Sequence, residues 1–298
     1  MNVLICGGSG FLGQNLARFF TEKGDRVVIV SRTSSTLPVK QVTWKQETEI
    51  LDELNTADVL INLAGKSVNC RYTKKNKTEI LNSRIATTKL LANWLQQVSN
   101  PPKIWLNAST ATIYRHALDR PMTEYNGEVG NDFSMNVAKQ WEEAFFKAKH
   151  ETIRKVAMRT SIVLGKDGGA LIPLQQLTKM GLGGKMGSGK QMVSWIHITD
   201  FCRAVSWIIN HIELDGPVNI TAPYPATNEE QMMLLRKSLK KKTGIPASSL
   251  MLKIGAWLIG TETELILKSR WVLPERLTES GFRFNYPKME MALTDLVS

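Results

Sequence analysis

Cysteine and histidine are scarce in this sequence. Its three cysteines, Cys6, Cys70 and Cys202, are an odd number among 298 residues and include no C-x-x-C pair. This pattern excludes a disulfide framework and suits a reducing compartment, so we expect a cytoplasmic protein. The four scattered histidines have no paired Cys/His spacing, which leaves no metal site to predict.

Long apolar runs are missing as well. No apolar stretch reaches the ~20 residues that a helix needs to span a bilayer, and residues 1–7 carry no basic segment ahead of an apolar run and no cleavage site. The sequence also has no repeat and no low-complexity tract. With 43% hydrophobic and 22% charged residues, it has the composition of a soluble globular protein with a substantial core. We expect neither a membrane segment nor a secretory signal.

Acidic residues are fewer than basic ones, 27 against 38, and the net charge is +11. Such an excess raises the question of nucleic acid. The basic runs are Lys74-Lys75-Asn76-Lys77 and Lys240-Lys241-Lys242, with no interleaved aromatic residues and no helix-turn-helix or zinc pattern. We interpret both runs as solvated helix faces and predict no nucleic-acid binding.

Short β-branched runs alternate with longer helical patterns through the first two-thirds of the chain. This alternation predicts an α/β fold with a doubly wound parallel sheet, since nearly continuous apolar runs suit strands that are covered on both faces. The predicted strands are Asn2–Cys6, Arg26–Val30, Gln41–Trp44, Val59–Leu63, Lys103–Asn107, Val156–Leu164 and Pro217–Ile220. The predicted helices are Phe11–Lys23, Lys77–Val98, Asn131–Lys149 and Thr199 to about His211, followed by a largely helical tail from Asn228.

The most specific pattern is Gly7-Gly8-Ser9-Gly10-Phe11-Leu12-Gly13, directly after the first strand and at the start of the first helix. It satisfies G-x-G-x-x-G. Glycines here let the backbone turn tightly, let a pyrophosphate approach and let the helix pack closely, while the helix N-terminus offers N–H groups to the anion. In this strand–turn–helix setting the motif predicts a Rossmann-type dinucleotide site. The competing interpretation is a tight structural turn.

Two further segments extend the predicted cofactor site. An NAD site places an acidic residue ~20 positions after the glycines, but here the second strand is followed by Ser31-Arg32. Because a guanidinium pairs well with a phosphate dianion, Arg32 predicts NADP(H) in preference to NAD(H), unless it is a solvated surface residue. Asn62-Leu63-Ala64-Gly65 closes the fourth strand and leaves room for the ribose or nicotinamide of the cofactor.

Together these segments resemble the extended short-chain dehydrogenases/reductases of the nucleotide-sugar epimerase/dehydratase type. The chain also has Ser109-Thr110-Ala111-Thr112-Ile113-Tyr114, which is similar to the family's S-S-x-x-V-Y. Residues 195–200 stand where the family has its V-x-D segment. More narrowly, the chain resembles an atypical bacterial subgroup of "epimerase family" proteins in the segments 159–164, 181–184, 187–189, 195–198, 273–277 and 279–284. The last two resemble a small C-terminal domain of unknown function, and the similarity covers essentially the whole chain.

The composition changes after Leu164. Eight glycines fall within 25 residues, at positions 165, 168, 169, 181, 183, 184, 187 and 189, and so dense a run predicts loops that approach a ligand closely. We therefore assign residues 1–164, completed by 194–222, to a cofactor-binding Rossmann domain. Residues 165–193 and 223–298 form a smaller, mainly helical substrate lobe, which includes the C-terminal small domain at about 248–296.

The resemblance implies hydride transfer in which a Tyr-x-x-x-Lys pair handles the proton and a Ser or Thr hydroxyl bonds the reacting carbonyl. Thr110 matches the hydroxyl position, and Ser109 is assigned to the cofactor site. The pair itself is not intact. Its spacing falls on Met135 and Lys139 or on Ser134 and Ala138, and neither register contains a phenol. Aligning Glu142 with the glutamate that follows the family lysine favours the second register.

Tyr114 and Lys139 remain as catalytic candidates beside Thr110. Lys139 contacts the nicotinamide ribose if the first register holds, whereas the alternative for Tyr114 is a structural packing role. Other substitutes are His116, Glu124 and Tyr125, in the stretch that should border the nicotinamide.

Arg159, Trp195 and His197 are candidates for the substrate cleft. Arg159 and Arg84 could each bind an acidic group or form a structural ion pair, and Arg84 replaces the asparagine usual in the family. His197, between two isoleucines and beside Trp195, is either near the cleft or a buried hydrogen-bonding residue.

The sequence therefore predicts an NADP(H)-dependent oxidoreductase or epimerase that acts on a small carbonyl, hydroxyl or nucleotide-sugar-like substrate, with a homodimer possible. The alternative is a non-catalytic NADP(H)-binding sensor or partner-binding protein. Its main support is the missing tyrosine.

Overall fold

The structure is a computed structural model that describes residues 1–32, 37–252, 262 and 264–297. Along the chain the strands are β1 Asn2–Cys6, β2 Arg26–Ser31, β3 Lys40–Thr43, β4 Val59–Asn62, β5 Ile104–Thr110, β6 Arg154–Thr160, β7 Ile162–Leu164, β8 Met192–Val193, β9 Trp195–His197, β10 Gly216–Ile220 and β11 Ala226–Thr227. The helices are α1 Phe11–Glu22, α2 Glu47–Thr56, α3 Lys74–Leu95, α4 Phe133–Phe146, α5 Leu171–Lys179, α6 Ile198–Asn210, α7 Asn228–Ser238, α8 Glu264–Leu267, α9 Glu275–Glu279 and α10 Met289–Val297. None of the helices within these ranges is long and apolar enough to cross a bilayer.

Seven parallel strands form the central sheet in the order β10-β6-β5-β4-β1-β2-β3. The chain runs outward from β1 in one direction through β2 and β3, then returns to β4 on the other side. The strand order therefore reverses between β1 and β4, and ligands of open α/β sheets bind at the carboxyl ends of strands at such a point. This architecture confirms the predicted doubly wound, Rossmann-type α/β fold.

Both faces of the sheet are buried, and apolar residues form the middle of its inner strands. In β1, Val3 and Ile5 pack in a core with α1 and α6, while Leu4 and Cys6 pack on the opposite face with α2 and α3. Burial of Cys6 raises the pKa of its thiol well above the usual range, so the thiol is neutral. Alternate residues of one strand thus hold the two helical layers to the sheet.

The predicted elements differ from the observed ones in several places. The strand predicted over Val156–Leu164 is interrupted at Ser161, and its second half, β7, pairs with β9 in a separate two-stranded sheet. Helix α3 begins at Lys74, because the Thr73 hydroxyl accepts a hydrogen bond from the Asn76 backbone and caps the helix. Helices α2 and α5 were not predicted.

The C-terminal part of the chain packs against the end of the sheet. Helix α10 lies beside α7, where Leu293 and Leu296 share a buried cluster with Met232 and Leu235. The segment after α8 contacts the loop between β5 and α4, since Met122 N donates to Trp271 O at 2.7 Å. The predicted division into a Rossmann domain and a substrate lobe stays a prediction.

Candidate functional site

The glycine loop after β1 needs glycine for a different reason at each position. Gly7 has φ +78°, and a Cβ there would lie 2.7 Å from the Ala64 backbone nitrogen. A Cβ on Gly8 would lie 2.7 Å from the Ile29 side chain, and one on Gly13 would lie 2.5 Å from Gly8 Cα. Three of the glycines therefore let the protein pack against itself.

Gly10 is the exception, because its Cβ would meet nothing closer than Gly7 O at 3.7 Å. Gly10 is exposed and precedes α1 in an extended conformation. The Gly10 N–H bonds Gly7 O within the turn at 3.3 Å, and the next of these bonds is that of Gln14 N, to Gly10 O at 2.9 Å. The amides of Phe11 and Leu12 in the first helical turn therefore point out of the helix beside an open glycine face, as a bound pyrophosphate requires.

Asn62 fixes the shape of the neighbouring strand end. It is fully buried; its side-chain amide donates to Asn107 Oδ1 at 2.7 Å, and its Oδ1 accepts from the Ala64 backbone at 3.1 Å. Leu63 N also bonds Cys6 O at 2.8 Å. The segment Asn62–Gly65 is thereby held over the glycine loop at the point where the strand order reverses.

Ser31 and Arg32 lie where β2 ends on the same edge of the sheet. Ser31 is buried, whereas Arg32 is exposed. No acidic side chain follows the strand at positions 31 or 32. The residues immediately after them, 33–36, lie outside the described ranges.

The glycine-rich segment approaches protein atoms. A Cβ on Gly165 would lie 2.6 Å from Phe11 Cζ, and one on Gly168 would lie 2.5 Å from Phe11 Cδ2. A Cβ on Gly184 would lie 2.4 Å from the Ile245 backbone carbonyl carbon. These glycines let the segment cover the first residue of α1 and contact the chain near Ile245, where the sequence predicted a close approach to ligand.

Thr110 and Ser109 end β5 next to this edge. Thr110 is half-buried, and its hydroxyl oxygen accepts from the Thr112 backbone at 3.1 Å. Ser109 is buried and donates to Glu142 Oε1 at 2.5 Å. The Thr110 hydroxyl proton keeps the ability to donate to another group, whereas the Ser109 hydroxyl is committed to Glu142.

Tyr114 and Arg159 belong to a buried polar network. The Tyr114 phenol donates to Asn219 Oδ1 at 2.9 Å and accepts from Arg159 Nη1 at 2.8 Å. Arg159 also forks onto Glu142 through Nε and Nη2, at 2.8 and 2.7 Å. Burial opposes the charge of Arg159, but the bonds to Glu142 outweigh burial and raise its pKa. These contacts favour structural roles for Tyr114 and Arg159.

Helix α4 carries the four residues that stand at the positions of the family's tyrosine and lysine in the two possible registers. Lys139 Nζ donates to Asn131 Oδ1 at 2.7 Å near the surface. Ala138 is fully buried, and the Met135 sulfur lies against Gly130. Ser134 is half-buried on the first turn of the helix. The helix therefore presents no phenol–ammonium pair.

Trp195 and His197 are buried where the sequence suggested a cleft. The Trp195 indole donates to Tyr224 O at 3.3 Å. His197 caps α6 through Nδ1, which accepts from Thr199 N at 3.1 Å, so its neutral ring carries the proton on Nε2, 3.2 Å from Asp295 Oδ2. Burial lowers the pKa of His197, although Asp295 opposes this, and the ring stacks on Tyr286. These contacts attach α10 to α6.

The substitute candidates are also engaged with the protein. His116 Nδ1 accepts from Ser269 N at 3.0 Å, and Glu124 Oε1 accepts from Asn219 N at 2.8 Å. Burial raises the pKa of Glu124. Tyr125 is exposed and donates to Glu279 at 2.9 Å. No group of His, Cys, Asp or Glu within the described parts of the chain is arranged to hold a metal ion.

The sequence did not mark Tyr72 or Arg270 as candidate site residues, and it left two interpretations open for Arg84. Tyr72 lies in the loop between β4 and α3. Arg270 lies after α8, almost two hundred residues further along the chain. The Tyr72 phenol and Arg270 Nη1 are buried without a hydrogen-bond partner among the residues that the structure describes. A tyrosine in the loop beyond a predicted cofactor strand was the one available signal; nothing in the sequence links Arg270 to it.

Comparison with known proteins agrees with this geometry over the whole chain. Residues 3–221 match the model of the NAD-dependent epimerase/dehydratase family, and residues 247–296 match a domain of unknown function, DUF1731. The chain is 34% identical to the epimerase family protein YfhF of Bacillus subtilis, covering 100% of this chain and 98% of that protein. It is 31% identical to the mouse epimerase family protein SDR39U1, with 100% of both chains covered.

Solved structures give the same result. The human epimerase family protein SDR39U1, crystallised with NADPH, superposes with a TM-score of 0.88 at 29% identity, covering 100% of this chain and 99% of that one. A nucleoside-diphosphate sugar epimerase from Corynebacterium glutamicum superposes with a TM-score of 0.79 at 28% identity, covering 99% of this chain and 57% of that one. With its glycine loop, parallel sheet and full-length relatives, the chain belongs to the NAD-dependent epimerase/dehydratase family.

Proposed function

We propose that this protein is an NADP(H)-dependent oxidoreductase or epimerase that acts on a small carbonyl, hydroxyl or nucleotide-sugar-like substrate. The observation that carries the proposal is the open face of Gly10 beside the free amides of the first turn of α1. A Cβ at this position would fill the space that a pyrophosphate needs, while the protein itself leaves the space empty. The NADPH in the human relative's structure supports the same cofactor here.

The residues present fit the dinucleotide. Gly7 to Gly13 would hold the pyrophosphate, and the segment Asn62–Gly65 would border the ribose and nicotinamide at the reversal of strand order. Arg32 would contact the 2′-phosphate, because it is exposed at the end of β2 with no acidic neighbour at positions 31–32. When bound, the cofactor supplies or accepts the hydride.

Thr110 would orient the substrate. Its oxygen already accepts a backbone hydrogen bond, so its proton is available to a carbonyl oxygen of the substrate. Lys139 and Tyr114 engage other groups, and the proton donor would therefore come from elsewhere in the site. The missing phenol–ammonium pair on α4 also supports a second candidate function, a non-catalytic NADP(H)-binding sensor.

Arg32→Asp is expected to reverse the cofactor preference. A carboxylate repels the 2′-phosphate and can accept from the ribose diol, so the dissociation constant for NADPH should rise about 10- to 100-fold while that for NADH changes little or falls. Fluorescence titration with both cofactors measures the ratio. Arg283→Asp, the same charge change at another exposed arginine, is the control. An unchanged NADPH/NADH ratio in Arg32→Asp would contradict the assignment.

Turnover separates the enzyme from the sensor. The purified protein is incubated with NADPH and a panel of carbonyl compounds and nucleotide sugars, and both cofactor absorbance and product isomers are followed. We expect turnover of at least one compound, reduced about 100-fold or more by Thr110→Val, since one donor at a reacting oxygen contributes that much. Micromolar NADPH binding with no turnover of any compound would favour the sensor.

A further inference from the structure

Two buried donors near the cofactor edge have no partner within the described ranges: the Tyr72 phenol and Arg270 Nη1. Native proteins pair nearly all buried polar groups, and an unpaired buried N–H or O–H costs free energy. Burial raises the pKa of Tyr72, so its phenol is protonated and can donate at neutral pH. Two such donors in one region indicate a missing acceptor.

The structure brings these donors into one region through a continuous set of contacts. The Tyr72 ring lies edge-on to Phe133, with centroids 5.0 Å apart, and Asp132 precedes Phe133 as the cap of α4. Lys268 contacts Asp132 and also Glu264, whose Oε1 lies 3.9 Å from Arg270 Nη2. The Tyr72 phenol is close enough to Arg270 and to Arg84 to affect the pKa of each.

Arg84 adds a cation that no described carboxylate neutralises directly. Its Nη1 donates to Lys66 O at 3.0 Å and Ile80 O at 2.9 Å, both neutral acceptors. Its guanidinium lies 5.1 Å from the centre of the Trp141 ring. Burial lowers the pKa of Arg84 to about 10 and that of Arg270 to about 10, which means that each charge lacks full compensation.

The neighbouring carboxylates are engaged elsewhere. Glu264 lies 2.8 Å from Lys268 Nζ, closer than to Arg270, and Asp132 contacts the same lysine. Glu262 Oε1 accepts from the Tyr72 backbone at 2.7 Å. Lys268 shares its charge between Asp132 and Glu264, and Glu264 approaches Arg270 only at Nη2, 3.9 Å away. Arg270 Nη1 is therefore left to donate to another group.

The position of Arg84 connects this region to the cofactor edge. A Cβ on Gly65, the last residue of the segment Asn62–Gly65, would lie 3.3 Å from Arg84 Cζ. Ser134, on the first turn of α4, is near enough to Tyr72 to favour its phenolate, although the two make no hydrogen bond of normal geometry. The region thus lies between the proposed cofactor site and the segment after α8.

We propose that Arg84, Arg270 and Tyr72 form an anion-binding subsite that holds a carboxylate or phosphate group of the substrate. The two guanidiniums supply the charge, and the buried Arg270 N–H and Tyr72 O–H donate to the anion's oxygens. This inference rests on the proposed function for its description of the anion as part of a substrate, and it narrows that substrate to a negatively charged one.

The test is binding of simple anions to the protein with and without NADPH. Inorganic phosphate and acetate are titrated at constant ionic strength and followed by ligand-observed NMR, with acetamide as the uncharged match for acetate. We expect saturable binding of at least one anion and none of acetamide, and the stronger anion identifies the group. Arg84→Gln and Arg270→Gln should each weaken binding about 10- to 100-fold. The control Arg115→Gln, at a half-buried arginine paired with Asp119, should not.

Tyr72→Phe tests the subsite with a variant that is expected to fold, in case the arginine variants do not. Because the phenol has no hydrogen-bond partner among the described residues, its removal should leave the melting temperature unchanged or raise it while weakening anion binding. A structural phenol would lower the melting temperature. Absence of saturable anion binding, or equal binding in all three site variants, would overturn the subsite. If the wild type does not bind NADPH, that result counts against the proposed function. The titration without cofactor still decides the subsite.

Discussion

Gly13→Ala is expected to abolish high-affinity NADPH binding and to destabilise the protein. The added Cβ would lie 2.5, 2.7 and 2.8 Å from Gly8 Cα, O and C. All three are backbone atoms, so α1 and the loop must separate. Overpacking of this kind costs about 1–3 kcal/mol of stability. Several amide–phosphate hydrogen bonds depend on the same loop shape, and at about 1.5–3 kcal/mol each their loss lowers affinity by more than about 100-fold.

Gly10→Ala is the matched variant, with the same methyl group three residues earlier. Gly10 has φ −81° and ψ 171°, a conformation that alanine adopts, and its Cβ would enter open space. We expect wild-type stability in urea unfolding together with weak NADPH binding. Calorimetry with NADPH and denaturation curves for both variants separate damage to the loop from obstruction of the ligand. Wild-type affinity in Gly13→Ala would show that the pyrophosphate does not use this loop.

Local sequence patterns predicted the sheet well because the residues that specify each strand and its following turn and helix are adjacent in the chain. The apolar run of β1, the glycines after it and the amphipathic α1 follow one another, and each restricts the next. The break between β6 and β7 has no such signal. Ser161 N still bonds Ile220 O of the neighbouring strand β10 at 3.1 Å, but the next amide, Ile162 N, bonds Ser194 O at 3.3 Å, so the chain changes to a partner more than thirty residues away.

The candidate site divides in the same way. The glycine loop and Asn62–Gly65 could be assigned from adjacent residues. Tyr114 and Arg159 looked available in the sequence, but Asn219 and Glu142 bind them in the folded chain. Pairing between distant polar side chains depends on tertiary structure. A single sequence does not indicate which arginine will meet a carboxylate and which, like Arg84, meets none in the described part of the chain.

Arg159→Met is expected to destabilise the protein by about 3–5 kcal/mol, because it leaves the Glu142 carboxylate buried without its cation. Glu142 is 8% exposed and would retain only the Ser109 hydroxyl of its present side-chain partners. The Tyr114 phenol also loses the hydrogen bond from Arg159 Nη1. Urea unfolding of wild type and variant at neutral pH measures the difference.

The double variant Arg159→Met/Glu142→Met distinguishes a structural ion pair from a substrate-binding arginine. Replacing both charges by apolar side chains removes the unpaired carboxylate, so most of the lost stability should return. Arg115→Met, at an ion pair whose carboxylate Glu128 is exposed, should have little effect. If Arg159 bound substrate, Arg159→Met would lose substrate affinity with little loss of stability. Removing Glu142 as well would then restore neither substrate affinity nor stability. Recovery of stability in the double variant would therefore assign Arg159 to the framework and leave Arg84 and Arg270 as the arginines available to an anionic substrate.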